Sequence, residues 1–338
     1  MPERVTILGD GAMATVCSIL LTQGGHHVTM WGAFEESIER LMQNRENQRL
    51  LKGVRIPDEV KLTANDNEAF GDATIVLSAV PTQYIRAVWN RLLRHVPNDV
   101  PIVSVAKGIE NETGLRPTQV IKDVLSPGVV SVRKLAALSG PNIAAEIARY
   151  LPATAVAACD DEEFARRVQD TFSTNWFRVY TNNDVTGVEL AGATKNIIAI
   201  AAGILDGLSA GNNAKAALVT RGLVEITRLG VAMGADEATF FGLAGLGDLI
   251  TTCVSPEGRN RSVGEQLGKG RKLADILKQM DSVAEGVPTT KSVHALSRRL
   301  KVEMPITEAV YSVLFQDKDV LHALSDLMSR DPKPERVA

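Results

Sequence analysis

One lysine in this chain stands where a charge needs a reason. Within residues 187–206 (GVELAGATKNIIAIAAGILD), the stretch from Leu190 to Leu205 carries a single charge, Lys195, beside Asn196. Ile197, Ile200 and Ile204 fall at i, i+3 and i+7, while Gly192, Asn196, Ala199 and Gly203 occupy another side, so the spacing predicts a helix buried all round. An isolated ammonium there costs several kcal/mol or gives up its proton. Lys195 therefore either pairs with an acid as a structural ion pair or serves as a proton-transfer group in a polar cleft.

Other residues of matching chemistry lie along the chain. The glycine-dense segment 242–252 (GLAGLGDLITT) holds one acid, Asp248, in an apolar setting, an available partner for Lys195. Gly258-Arg259-Asn260-Arg261 leads into a helix, and a fork-shaped guanidinium beside an amide and free helix N–H groups suits a phosphate. Lys107 follows an apolar strand, and Ser139-Gly140-Pro141-Asn142 turns from another strand into a helix; in open α/β sheets ligands bind at those carboxyl ends. Near the N-terminus, Gly9-Asp10-Gly11-Ala12-Met13-Ala14 follows the strand RVTIL and opens a helix that leads to a second strand. That is the setting in which a GxGxxG-like turn holds a dinucleotide. Gly9 allows the tight turn, Gly11 the approach of a pyrophosphate, and Ala14 takes the third position, close against the strand. Asp10 would repel a pyrophosphate if it faced one, so its side chain is expected to turn away. An acid ending the second strand marks NAD and a nearby arginine NADP; Trp31-Gly32-Ala33-Phe34 offers neither, and both cofactors stay open.

These residues need a scaffold of two kinds. Strands are expected at 4–8, 27–31, 60–63, 73–79, 102–105, 135–138, 154–158 and 176–180, with helices at 83–95, 143–150 and 161–172 and a polar loop at 44–57. From residue 184 helical spacing takes over, through 185–209, 213–233, 236–251, 261–280, 287–299 and 305–328. The reading is an α/β Rossmann-type domain at 1–183, an all-α domain at 184–330 and a frayed, flexible tail at 331–338.

Composition agrees. A chain of 338 residues can bury two cores. Its net charge of −3, with basic residues scattered, leaves no footprint for nucleic acid. Cys17, Cys159 and Cys253 lie far apart without a CxxC, which indicates neither a disulfide framework nor a metal site and fits a reducing cytoplasm. No signal sequence precedes the first strand, and no uncharged apolar run reaches the ~20 residues of a membrane span, so no stable membrane anchor is expected. A homodimer is the usual state for an enzyme of this size.

Taken in order, the sequence resembles NAD(P)-dependent glycerol-3-phosphate dehydrogenase. The resemblance rests on Gly9-Asp10-Gly11, Trp31, Val80-Pro81-Thr82, Lys107-Gly108-Ile109-Glu110, Leu138 to Glu146 (LSGPNIAAE), Glu189 to Asn196 (ELAGATKN), Gly245-Leu246-Gly247-Asp248, Gly258 to Arg261 (GRNR) and Ala284-Glu285-Gly286. It implies a Rossmann domain joined to a helical domain like the C-terminal one of 6-phosphogluconate dehydrogenase. It also implies a cytoplasmic oxidoreductase that interconverts dihydroxyacetone phosphate and sn-glycerol 3-phosphate with NAD or NADP, supplying glycerophospholipid synthesis.

By the same resemblance Lys195 and Lys107 are catalytic, and Lys107, Gly140, Asn142, Lys195, Asp248, Gly258, Arg259 and Asn260 surround the substrate. Gly9, Gly11, Ala12, Met13, Ala14, Ala33, Lys107, Ala144, Arg259, Val283 and Glu285 meet the cofactor. The family commonly has an aromatic where Met13 stands, often a basic residue at Ala33 and often Ser at Gly258. The first two departures remove contacts to the adenosine end of the cofactor, and the third a hydroxyl near the substrate. A hydroxy-acid or phosphogluconate dehydrogenase of the same two-domain build is the alternative; the paired lysines and the Arg-Asn phosphate site argue against it. A sensor that binds a dinucleotide without turnover would not need Lys195 or Arg259.

Overall fold

The computed structural model describes residues 1–126, 133–332 and 334–335. Two compact units are present, one formed by residues 1–106 and 117–185 and the other by 107–116 and 186–338. Of the expected tail 331–338, residues 333 and 336–338 lie outside the described residues.

Among the described residues the first unit is built on eight strands: β1 (Arg4–Leu8), β2 (His27–Trp31), β3 (Lys61–Thr63), β4 (Ile75–Ser78), β5 (Ile102–Ser104), β6 (Leu135–Ser139), β7 (Ala153–Ala158) and β8 (Phe177–Asn182). They form one sheet in the order β3-β2-β1-β4-β5-β6-β7-β8. Pairing is parallel except between β6 and β7, where Leu138 lies opposite Ala157. β4 and β5 are buried at every residue, which is why IVLS and IVS read as continuous apolar runs. The chain runs outward from β1 to β3 and then returns to β4 on the other side of β1. The crevice beyond the carboxyl ends of β1 and β4 is thus the switch point of a doubly wound sheet, where such folds bind ligands.

Boundaries differ from expectation where local chemistry intervenes. The helix expected at 83–95 begins as a 3₁₀ turn, Thr82–Tyr84, and continues as Ile85–Leu92. The helix expected at 143–150 is shorter, Ala144–Ala148, and Tyr150 takes a left-handed φ of 61° that ends it. Pro117–Leu125, a helix whose proline suits a first turn, carries no expectation from the sequence.

The second unit is helical and centred on Val185–Gly207, in which Leu190 to Ile200 are buried without interruption. By length and composition this helix is apolar enough to cross a membrane, yet its most apolar window is wholly buried, as in a core helix. Residues 107–116 correct the single break expected near residue 183. They join this unit because Ile109 is fully buried in its core, the Ser292 hydroxyl donates to the Ile109 carbonyl at 2.9 Å, and Arg116 pairs with the buried Glu189 carboxylate. The helix expected at 236–251 is broken into Glu237–Phe240, a π turn at Leu243–Gly247 and Asp248–Val254. That expected at 261–280 is Arg259–Gly268 and Leu273–Lys278, and that at 305–328 is Pro305–Phe315 and Val320–Met328.

Helices Val185–Gly207 and Arg259–Gly268 meet through glycine on both sides. A Cβ on Gly203 would lie 1.9 Å from the Arg261 carbonyl oxygen, and one on Gly264 would lie 1.9 Å from that of Ile200. Gly207 and Gly268 repeat the contact one turn on, each within 3 Å of the other helix's backbone. Beside this seam Arg261 reaches Asp206 at 2.6 Å, and Lys215 pairs with the same carboxylate.

Candidate active site

In the helical unit Lys195 and Lys107 converge on Asp248. Lys195 is 5% exposed; its ammonium donates to Oδ1 of Asp248 and, at 3.2 Å, to the Thr252 hydroxyl. Lys107 Nζ donates to the other oxygen, Oδ2, at 2.7 Å. The π turn of the glycine-rich segment delivers Asp248 to the head of its helix, and Thr252 follows one turn later. Two ammoniums around one carboxylate leave a net positive charge, which favours an anion developing nearby.

Burial is the largest influence on Lys195, and with the neighbouring Lys107 charge it lowers the ammonium to about 8 while Asp248 opposes the shift. A group so placed is mostly protonated at neutral pH and able to exchange its proton.

The surroundings fix both lysines. The Asn196 amide donates to the Lys107 carbonyl oxygen at 3.1 Å, and the Lys107 N–H donates to Glu285 Oε2 at 3.3 Å. Asn260 accepts from the Gly286 N–H at 2.9 Å, and a Cβ on Gly286 would lie 2.8 Å from both the Asn196 carbonyl and Asn260 Oδ1. The helix at Arg259 starts two residues earlier than expected, with Gly258 as its cap and no side-chain cap. Arg259 thus sits in the first turn, exposed, and among the described residues its guanidinium has no hydrogen-bond or ion-pair partner. Val283 is on the surface and Glu285 caps the helix Gly286–Leu300.

The remaining sequence-derived residues belong to the first unit. Gly9 has φ +121°, and a Cβ there would stand 2.7 Å from the Ala79 carbonyl oxygen at the end of β4. Gly11 caps the helix Ala12–Gln23, with open space where a Cβ would be, no side-chain cap and no acid in the first turn. The first helical bond runs from Thr15 to Gly11, leaving the amides of Ala12, Met13 and Ala14 outside the ladder. Ala14 is buried in the core. Asp10 turns to Ser37, whose hydroxyl donates to it at 2.5 Å, while the Asn47 amide holds the Asp10 carbonyl at 2.8 Å. A pyrophosphate fits this turn. At the end of β6, Gly140 (φ +151°) and Asn142 both lie against Thr154, whose carbonyl accepts from the Asn142 amide at 2.9 Å; Ala144 begins the next helix.

Sequence reasoning missed Thr252, which needed the π turn to come within reach, and missed two charges at the end of β2. There Arg91 donates to the Ala33 carbonyl oxygen at 2.7 Å and pairs with Asp66. The segment Trp31-Gly32-Ala33-Phe34 itself offers neither an acid nor an arginine; Asp66 and Arg91 arrive from elements following β3 and β4, a placement no local spacing signals.

Comparison with known proteins reports the same relationship along the whole chain. Residues 4–165 match the family model for the NAD-dependent glycerol-3-phosphate dehydrogenase N-terminus and 184–325 that for its C-terminus. The glycerol-3-phosphate dehydrogenase [NAD(P)+] of Citrifermentans bemidjiense is 47% identical over 100% of both chains. That of Chlorobium limicola is 48% identical over 98% of this chain and 99% of its own. A solved structure of glycerol-3-phosphate dehydrogenase from Coxiella burnetii superposes with a TM-score of 0.93 at 33% identity, covering 97% of this chain and 99% of that one.

Proposed function

The chain belongs to the NAD-dependent glycerol-3-phosphate dehydrogenase family, and from that premise we propose how its own residues carry the reaction. It is an NAD(P)-dependent oxidoreductase that interconverts dihydroxyacetone phosphate and sn-glycerol 3-phosphate, a product that supplies glycerophospholipid synthesis. When bound, the nicotinamide supplies or accepts the hydride.

Lys195 donates the proton to the carbonyl oxygen from Nζ during reduction and takes it back during oxidation. Asp248 orients it through Oδ1. Lys107, held on Oδ2 at 2.7 Å, keeps positive charge beside the developing alkoxide. The Arg259 guanidinium, with Asn260 and the uncapped amides after Gly258, takes the substrate phosphate, and Gly140 and Asn142 complete the substrate's surroundings. The turn of Gly9, Gly11, Ala12, Met13 and Ala14 would hold the cofactor pyrophosphate, and Ala33, Lys107, Ala144, Arg259, Val283 and Glu285 would line the rest. The enzyme works in the cytoplasm as a homodimer without a membrane anchor. Residues 1–183 and 184–330, apart from the excursion at 107–116, are its cofactor and catalytic domains.

The observation that carries this reading is the single carboxylate of Asp248 bridging two lysines, Lys195 buried and Lys107 mostly so. The test is optical: NADH or NADPH should be oxidised on addition of dihydroxyacetone phosphate and scarcely on addition of a hydroxy-acid precursor such as a 2-keto acid. Turnover of the keto acid instead would favour the alternative two-domain dehydrogenase.

A further inference from the structure

Arg91 and Asp66 form a built charge pair at the carboxyl end of β2. The Arg91 guanidinium lies 5.0 Å from the centroid of the Trp31 ring, a fixed plate only 1% exposed. Its Nε and Nη2 donate to the two oxygens of Asp66 at 2.8 Å each, and its Nη1 donates to the Ala33 carbonyl at 2.7 Å. The Trp31 indole N–H donates at 3.2 Å to Oδ1 of Asp66, the oxygen that also accepts from Nη2 of Arg91. A guanidinium has five N–H donors; these three bonds leave one on each terminal nitrogen. The Arg91 side chain is 41% exposed, so those donors are open to a ligand.

This is the strand end at which doubly wound folds read the adenosine ribose, with an acid for a 2′-hydroxyl or an arginine for a 2′-phosphate. We propose that Arg91 receives the 2′-phosphate of the dinucleotide and that Asp66, its counter-ion, keeps the resulting preference for the phosphorylated cofactor moderate. The inference rests on the dinucleotide site proposed above. Stacking on Trp31 and the bond to Ala33 hold the fork in place before binding, so little side-chain freedom is lost when a phosphate docks. Both Asp66 oxygens are already engaged, which makes it a poor acceptor for a 2′-hydroxyl and gives the unphosphorylated cofactor no matching gain. Its negative charge opposes a phosphate and limits discrimination to less than about a thousandfold, ~4 kcal/mol.

Calorimetric titration of the full chain with adenosine 2′,5′-bisphosphate and with 5′-AMP tests this without turnover. The bisphosphate should bind at least tenfold tighter, a scale set by charge-assisted pairing. Arg91→Ala should bring the ratio near one while leaving 5′-AMP affinity within about twofold. Arg91→Lys, which keeps charge and loses the fork, should give an intermediate ratio, and Asp66→Asn should raise it. A wild-type ratio near one, or a ratio unchanged in Arg91→Ala and Arg91→Lys, overturns the assignment; a lower ratio in Asp66→Asn overturns the part given to Asp66. Should the wild type bind neither nucleotide, the dinucleotide site fails as well, whereas equal binding of both removes Arg91 alone.

Discussion

Lys195 and Asp248, 53 residues apart in sequence, meet as a buried ion pair whose second oxygen is held by Lys107 at 2.7 Å. The arrangement has two consequences. Asp248 keeps the buried ammonium charged, and Lys107 keeps the pair from being neutral, so a proton can leave Lys195 without stranding an unpaired negative charge.

The pH dependence follows from that balance. With Lys195 lowered to about 8, chiefly by burial, ketone reduction needs its ammonium and should decline above about pH 8, while alcohol oxidation needs its free amine and should rise through the same range. For stability, a lysine with a lowered folded-state value binds fewer protons folded than unfolded between about 8 and 10.5. Its contribution therefore rises with pH across that window. Stability measured against Lys195→Met should shift in favour of the wild type as pH goes from 8 to 10; a shift the other way contradicts the sign.

Arg259 is expected to serve the phosphate. Arg259→Ala should lower kcat/KM for dihydroxyacetone phosphate by ~2–5 kcal/mol, the scale of losing one partner of a charge-assisted pair, and lower it much less for dihydroxyacetone, where only the cofactor contact is lost. Equal loss on both substrates would assign the residue to the cofactor or the fold.

Much of this was readable in advance. β4 and β5 stand out as continuous apolar runs because they are buried at every residue, whereas β8 stands out by alternation, with Phe177 and Val179 buried and Arg178 and Tyr180 exposed. Lys195 and Asp248 stood out as charges in apolar surroundings. The rest depends on tertiary placement. Residues 107–116 look like a loop after β5, and only the burial of Ile109 in the helical core reveals their unit. Asp66 and Arg91 come from separate elements, and the π turn before Asp248 replaces what spacing alone reads as one helix.

The glycine seam had no such signature, since Gly203 and Gly264 read as ordinary small residues of buried helices. Gly203→Ala or Gly264→Ala should destabilise the chain by ~3 kcal/mol or more in denaturant unfolding, because the atom met at 1.9 Å is a backbone oxygen that cannot rotate away. A loss below about 0.5 kcal/mol would mean the helices separate easily.

Glu225 provides a second test of the helical unit. Its buried carboxylate accepts from the Ile306 and Thr307 N–H groups at 2.8 Å each and from the Thr307 hydroxyl at 2.7 Å. Glu225→Gln turns an NH₂ toward one of these donors and should cost ~1–3 kcal/mol of stability, read from the denaturant midpoint. An unchanged midpoint would show that the helix Pro305–Phe315 does not depend on this cap.

The most direct measurement is single-turnover oxidation of bound NADPH by dihydroxyacetone phosphate in Lys195→Met, with NADPH affinity and the circular dichroism spectrum recorded on the same samples. Met matches the length of Lys and suits the apolar helix, so the fold and the cofactor affinity should persist while the rate falls by at least ~10²-fold, the scale of a positioned general acid. A variant that stays folded and transfers hydride at the parent rate would make Lys195 a structural ion pair and contradict the account.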